Sequence, residues 1–507
     1  MNDKNQRKAG AILSYISIII STLVQLLYTP FLIKMLGQSE YGLFSLISSV
    51  IGYLTVLDLG FGNAIIVYST KYRAQKKFDE EKKLLGMFKI VFSIIGIIAG
   101  IIGFVLFLMV PNIFGDTMNE GELAKAKVMM LILAFNLIVT FVFSLYSSII
   151  SSYEKFVFQK ILSIANTLLK PVIMIPLLVL GFKSIALTVV ITIINITICI
   201  SNYLYCKNKL YVNVKFMGFD RVLFKTILGY SIWIFLGAIV DKINWSVDQF
   251  VLGAVSGTIA VSVYAVASQI NTLFVNLSYA VSGVLLPKVS KMVAQNASNE
   301  EITKDFIKVG RIQYLIVFFM ASGITLFGKD FFIAWAGKEY EISYFIALIL
   351  VLPLCIPLIQ NLGISIMQAK NMHKFRSILY AIIAVANIFI SIPLAKLYGG
   401  IGSAVGTALS LIIGNGLIMN IYYYKKVGIN VLKFWKEIIK MTIPFIIPVV
   451  LIIIIMKIFV LHGFSGVIIY GGIYTIIYAL ICYFIVTNDY EKQFINKVLN
   501  KIYIKRI

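Results

Sequence analysis

Fourteen apolar runs, each about as long as a bilayer is thick, constrain this chain more than any single motif. A transmembrane helix needs ~20 predominantly apolar residues. Runs meeting that rule lie at 9–33, 42–67, 88–114, 126–150, 161–180, 184–205, 226–253, 257–286, 311–336, 343–368, 376–395, 400–424, 438–460 and 464–487. The break Gly181-Phe182-Lys183-Ser184 separates the fifth run from the sixth. With 60% hydrophobic and 13% charged residues and a mean hydropathy of +0.93, an ordinary soluble domain is excluded. The expected fold class is an all-α polytopic membrane protein with about 14 transmembrane helices. The first run follows Lys4, Arg7 and Lys8, is too long for a signal-peptide core and lacks a small-residue cleavage site. It is expected to be a retained membrane helix.

Lysine and arginine set the orientation. With the N-terminus inside, 35 of the 45 fall in inner segments and 8 in outer ones. The remaining two, Lys170 and Lys242, lie within spans. Both termini are therefore predicted to be cytoplasmic, in a multi-pass protein of the cytoplasmic membrane. The net charge of +23 is explained by this asymmetry, so no nucleic-acid partner is expected. Residues 69–87 read as a basic surface helix. The outer loops are short, which leaves no extramembrane domain able to hold a conventional active site. No catalytic residue, metal site or cofactor is expected, and a coupling ion, H+ or Na+, stays open. Any chemistry or transport has to take place among the helices.

A weak internal repeat organises the spans. "ILSY" at Ile12–Tyr15 opens the first and "ILGY" at Ile227–Tyr230 the seventh; Leu36-Gly37 and Leu252-Gly253 follow. Six helices separate the copies, which predicts two pseudo-symmetric, parallel six-helix lobes. The predicted domains are an N-lobe at 1–205, a cytoplasmic linker at 206–225 and a C-lobe at 226–424. Residues 425–507 hold the thirteenth and fourteenth helices and a basic cytoplasmic tail.

Polar residues inside spans are costly and mark candidate sites. Ser14, Ser17, Ser21, Gln25 and Tyr28 share one face of the first helix; Gln269, Thr272, Asn276 and Tyr279 share one face of the eighth. Such stripes suit either helix packing or a water-filled cavity. Asp241 and Asp248 lie seven residues apart on the seventh helix, with Lys242 about 100° away. They read as a transport pathway or as a charge network locking the lobes. Lys170 precedes Pro171 near the midplane of the fifth helix, and Gln360-Asn361 follow Pro353 and Pro357 as a broken-helix polar point. Asp58 is followed by Gly60 and Gly62, which let the helix bend and offer backbone amides to the carboxylate. Its candidate roles are a cap or salt bridge, with Lys82 or Lys83, and a gating or coupling element.

The stretch from Thr29 to Ala74 resembles the N-terminal signature of the polysaccharide-transporter family, the Wzx-type oligosaccharide flippases. That family belongs to the multidrug/oligosaccharidyl-lipid/polysaccharide superfamily. The resemblance rests on Leu36-Gly37, Tyr41-Gly42 and Asp58-Leu59-Gly60. "DKINWSVDQFVLGAVSGTIAVSVYAVASQI", Asp241 to Ile270, resembles the opening of the family's second lobe. The resemblance implies a V-shaped pair of lobes working by alternating access. The implied cargo is undecaprenyl-diphosphate-linked oligosaccharide, moved from the inner to the outer leaflet for cell-surface polysaccharide biosynthesis. The implied partners are that cargo, membrane lipids, a polysaccharide polymerase and other assembly enzymes. The extra helix pair is expected to share the tail-groove role it has in related flippases. Relatives often carry cleft arginines; here Lys170 and Lys242 are the basic candidates.

A drug/cation antiporter of the same superfamily is the alternative, and Asp241 and Asp248 suit it as well. A membrane glycosyltransferase or polymerase would need a substantial loop or domain, which the short outer loops do not provide. A scaffold without cargo leaves the buried charges unexplained.

Overall fold

Where the chain leaves one helix and enters the next, its own residues supply the ends. Asn119 and Glu122 form a reciprocal capping box, as do Ser298 and Glu301; Asp220 and Asn430 cap two further helices. The computed structural model describes residues 3–282, 292, 295, 297–370, 372–461 and 463–493. Among these it contains helices and connecting turns and no strand. The first nine helices are α1 (Asp3–Leu36), α2 (Gln38–Leu54), α3 (Phe61–Ala74), α4 (Phe78–Phe114), α5 (Glu120–Ser152), α6 (Phe156–Val179), α7 (Ser184–Asn208), α8 (Arg221–Val255) and α9 (Gly257–Ser282). Then come α10 (Asn299–Ala336), α11 (Glu341–Ile359), α12 (Leu362–Ala369), α13 (His373–Leu411), α14 (Val431–Ile458) and α15 (Gly463–Ile481). The chain is thus an all-α, multi-pass membrane protein.

Among the described residues, twelve helical segments are long and apolar enough to span a bilayer, against the fourteen expected. The difference has two sources. Runs 376–395 and 400–424 are two helices that meet at a kink, where Gly399 takes φ 57°, within the single stretch Lys374–Val427. Run 226–253 falls in α8, several of whose side chains before Ser246 lie outside the described residues. The basic surface helix expected at 69–87 does not form. Residues up to Ala74 complete α3, and α4 starts at Phe78 and runs straight into the span. Asp79, Glu80 and Glu81 occupy the first turn of α4, where the helix dipole favours anions.

Two compact units divide the chain. The first holds residues up to Ala265 together with Ser391–Ser403. Within it α4 packs on α5, α5 on α7 and α1 on α6. Small residues allow the closest approach: a Cβ on Gly103 of α4 would stand 2.6 Å from the Ala134 Cβ of α5. The second unit holds Val266–Ile390 and the chain from Ala404 onward. There α14 and α15 pack on α10 through Phe327, Met441, Phe445, Tyr474 and Tyr478. The Phe445 ring stacks on Phe318 at 5.1 Å and on Tyr478 at 4.6 Å, and the Tyr478 hydroxyl donates to the Leu315 carbonyl at 2.7 Å.

Candidate functional site

Asp58 sits in a break that its neighbours create. α2 ends at Leu54, Thr55–Asp58 form one 3-10 turn, and Leu59 and Gly60 take left-handed φ of 53° and 73° before α3 begins. Reversing direction twice within two residues suits glycine, which has no Cβ penalty there. The backbone amides of Gly62 and Gly60 donate to the Asp58 carboxylate. Gly62 lies in the first turn of α3 and Gly60 is its N-cap, so neither amide has a carbonyl of that helix to bind. A Cβ on Gly62 would lie 3.3 Å from the Ser148 hydroxyl of α5, so the turn is fitted against its neighbour. Lys82 and Lys83 are engaged elsewhere, with Asp79 at 3.0 Å and Asp220 at 3.4 Å. The salt-bridge form of the cap is replaced by the backbone form.

Asp248 forms a second centre in the same unit. It is 2% exposed, and its carboxylate accepts from the Tyr264 hydroxyl of α9 at 2.5 Å and from the Ser403 hydroxyl at 2.6 Å. Charge-assisted hydrogen bonds of this kind help to hold a carboxylate in a buried place. α8, which carries Asp248, packs along α2, the 3-10 turn and α3. Lys242, six residues earlier, places its Nζ 3.6 Å from where a Cβ on Gly52 would lie. Lys242 is half-buried and, among the described residues, makes neither an ion pair nor a hydrogen bond. The side chain of Asp241 lies outside the described residues. The Tyr53 hydroxyl, next to Gly52, is buried without a hydrogen-bond partner among the described residues, as is that of Tyr28 on α1.

Lys170 stands apart. It lies fourteen residues beyond Phe156 on α6, ~21 Å along a helix of ~36 Å. It too is half-buried and without an ion pair among the described residues. Its helix is continuous through Pro171 and Pro176. α6 faces α1, where Ser17 and Ser163 approach to 3.5 Å. Ser14 and Ser21 turn back onto their own helix, bonding the carbonyls of Gly10 and Ile18. Gln25, in the same stripe, is half-buried.

The other candidates fall in the second unit. On α9, Gln269 is half-buried and Asn276 exposed. Of the seven candidate cargo-binding residues, Gln25, Lys170, Asp241, Lys242 and Asp248 belong to the first unit, and Gln269 and Asn276 to the second. The break expected at Gln360-Asn361 is present: α11 ends at Ile359 and α12 begins at Leu362. Gln360 donates to the Asn420 side chain at 2.8 Å, and the Trp435 indole donates to the same oxygen at 2.9 Å.

Several charged groups escaped the sequence reading. Arg311 lies in the interior of α10, 8% exposed, with Nε 2.7 Å and Nη2 3.0 Å from the Glu491 carboxylate and Nη1 3.3 Å from Glu437. The available signal was the Ser298-Asn299-Glu300-Glu301 capping pattern, which starts α10 twelve residues before the apolar run. Glu40 and Glu122 are the second group. Glu40 accepts from Lys125 and Ser184, and Glu122 from Ser39 and, at 2.8 Å, from Thr258. These bonds join the first turns of α2, α5, α7 and α9. A Cβ on Gly42 would stand 1.8 Å from the Thr258 carbonyl, so the same helix ends touch backbone to backbone.

Among the described residues, twelve candidate spans, with Asp248 buried and Lys170 and Lys242 half-buried, define a multi-pass membrane protein. A family model described as polysaccharide biosynthesis protein matches residues 8–293. The chain belongs to that family. Among similar proteins, a Shigella flexneri protein provisionally named an O-antigen transporter is 20% identical over 411 residues, covering 80% of this chain and 94% of the relative. Among solved structures, the lipid II flippase MurJ in an inward closed conformation is similar with a TM-score of 0.72 at 20% identity. That match covers 94% of this chain and 98% of MurJ. An inward-facing multidrug-resistance MATE family transporter of the MOP superfamily has a TM-score of 0.62 at 15% identity, over 82% of this chain and 99% of that one. At these identities the structural likenesses establish the fold.

Proposed function

We propose that this protein is a flippase that moves undecaprenyl-diphosphate-linked oligosaccharide from the inner to the outer leaflet of the cytoplasmic membrane by alternating access. The observation that carries the reading is the family match over 8–293, on a chain whose chemistry lies among its membrane helices. The similar proteins include an O-antigen transporter and a lipid II flippase by name, and both cargo types suit the same chemistry. A diphosphate leaving the headgroup region loses water and needs counter-charge. Lys170 and Lys242, uncommitted to ion pairs among the described residues, are assigned that task. The sugar passes along polar helix faces such as that of Gln25, while the lipid tail stays in the bilayer. Asp58 and its two amide donors are assigned to the conformational change and not to cargo. Both termini are placed on the cytoplasmic side. No cofactor is assigned, and the coupling ion stays open.

The test is reconstitution of the full chain into vesicles holding lipid-linked oligosaccharide on one leaflet. The expected result is protein-dependent access of an added lectin or glycosidase to sugar delivered from the opposite leaflet. Absence of that access, with transport of a cationic drug in its place, would favour the antiporter.

A further inference from the structure

The segment joining α7 to α8 is not a bare connection. From residue 209 to 220 it has no regular structure, and one edge of it is pinned to the protein. The Val212 amide donates to the Cys206 carbonyl at 3.0 Å, and Val214 is buried. A Cβ on Gly86 of α4 would stand 2.1 Å from the Lys215 carbonyl, so the backbones are in contact. Phe224 closes the junction by packing on Phe61, Phe88 and Phe219.

The other edge is apolar and uncovered. Tyr211 is 85% exposed, Val222 78%, Phe216 54%, Met217 52% and Phe219 46%. Apart from Val222, in the first turn of α8, these lie on the connection between the ends of two long membrane helices. Interleaved with them are Lys207, Lys209, Lys215, Arg221 and Lys225, all exposed. The one acid, Asp220, is committed. It caps α8 by accepting from Leu223 at 3.0 Å and Val222 at 3.1 Å, and it pairs with Lys83. The Leu223 amide, with Lys83 alongside, holds its carboxyl below the usual carboxylate range.

We infer that this segment is an interfacial anchor for an anionic lipid surface. Aromatic and aliphatic side chains enter the headgroup–acyl boundary, and the basic residues meet lipid phosphates. Charge complementarity selects a membrane: five exposed cations lie here, and the segment's one carboxylate is occupied by Lys83 and the α8 cap. Pinning the backbone on Gly86 and Val214 lets the outer side chains be presented without ordering a free loop. The inference stands independently of the flippase reading.

The test uses the full chain in nanodiscs of phosphatidylcholine alone or with about 30 mol% phosphatidylglycerol, a surface that attracts basic segments. Chymotrypsin reports access to Tyr211, Phe216 and Phe219. Cleavage should be roughly tenfold slower in the anionic discs, since each basic residue near such a surface adds to its hold. The variant K207Q/K209Q/K215Q/R221Q keeps every chymotryptic site and should lose the difference between the two lipids. A second variant, Phe216→Ser with Met217→Ser, should be cleaved quickly at Tyr211 in both. Equal cleavage of the wild-type chain in the two membranes overturns the inference and leaves the apolar edge to a protein partner.

Discussion

Arg311 and Glu491 form a two-pronged ion pair across 180 residues of sequence, with Nε–Oε1 at 2.7 Å and Nη2–Oε2 at 3.0 Å. Both are nearly excluded from solvent, and Glu437 shares the guanidinium. The pair fastens the chain beyond α15 to the interior of α10. Removing one partner of such a pair strands the other charge, at a cost of ~3–5 kcal/mol. Arg311→Ala is expected to lower Tm in detergent markedly. Arg311→Lys keeps the charge but not the fork, and should fall between. An Arg311→Ala protein that melts with the wild type would show that the pair does not hold this end.

Asp248 gathers Tyr264 and Ser403 from two other segments of the chain. Asp248→Ala leaves both hydroxyls without this acceptor in a buried place, a loss of ~1–3 kcal/mol. Asp248→Asn retains one acceptor oxygen and should lose less. Thermal unfolding of the two variants in the same lipid distinguishes the outcomes.

Asp58 is held by backbone amides, so its charge shapes the α2–α3 break. Asp58→Asn keeps one acceptor oxygen but removes the charge and the second acceptor that face the Gly60 and Gly62 N–H groups. Flipping is expected to slow while binding of lipid-linked oligosaccharide stays nearly intact. Parallel losses in a binding assay and a flipping assay would place Asp58 on the cargo instead.

Lys170 and Lys242 have no ion pair among the described residues, so neither is expected to support the fold through one. Lys170→Gln and Lys242→Gln should express and melt like the wild type. A charge-assisted bond to phosphate is worth ~1.5–3 kcal/mol, so each should reduce flipping by about ten- to a hundredfold. Loss of expression in either variant, with activity per molecule unchanged, would mean a structural role.

The topology is testable at one residue. Lys76 lies in the turn between α3 and α4, exposed and with φ 57°. A cysteine there should react with an impermeant reagent only after the cells are opened. Labelling from outside intact cells would reverse the orientation.

Much of this protein was decided locally. Apolar runs long enough to cross a bilayer leave helix as the one way to satisfy their backbone, so the all-α class followed from composition and run length. The Asp58 break was legible in part, because Gly60 readily takes left-handed backbone and the amides of Gly60 and Gly62 lie where an adjacent carboxylate can use them. The sequence was silent on which distant side chains meet. Nothing near Asp248 names Ser403, and nothing near Arg311 names Glu491, since those bonds arise only after helices far apart in the chain have packed. Apolar length gives the helices, but not the kink at Gly399, where φ is 57°, at which two of them meet. Helix and orientation are properties of a segment in lipid; pairing of buried charges is a property of the packed whole, and only the tertiary structure decided it.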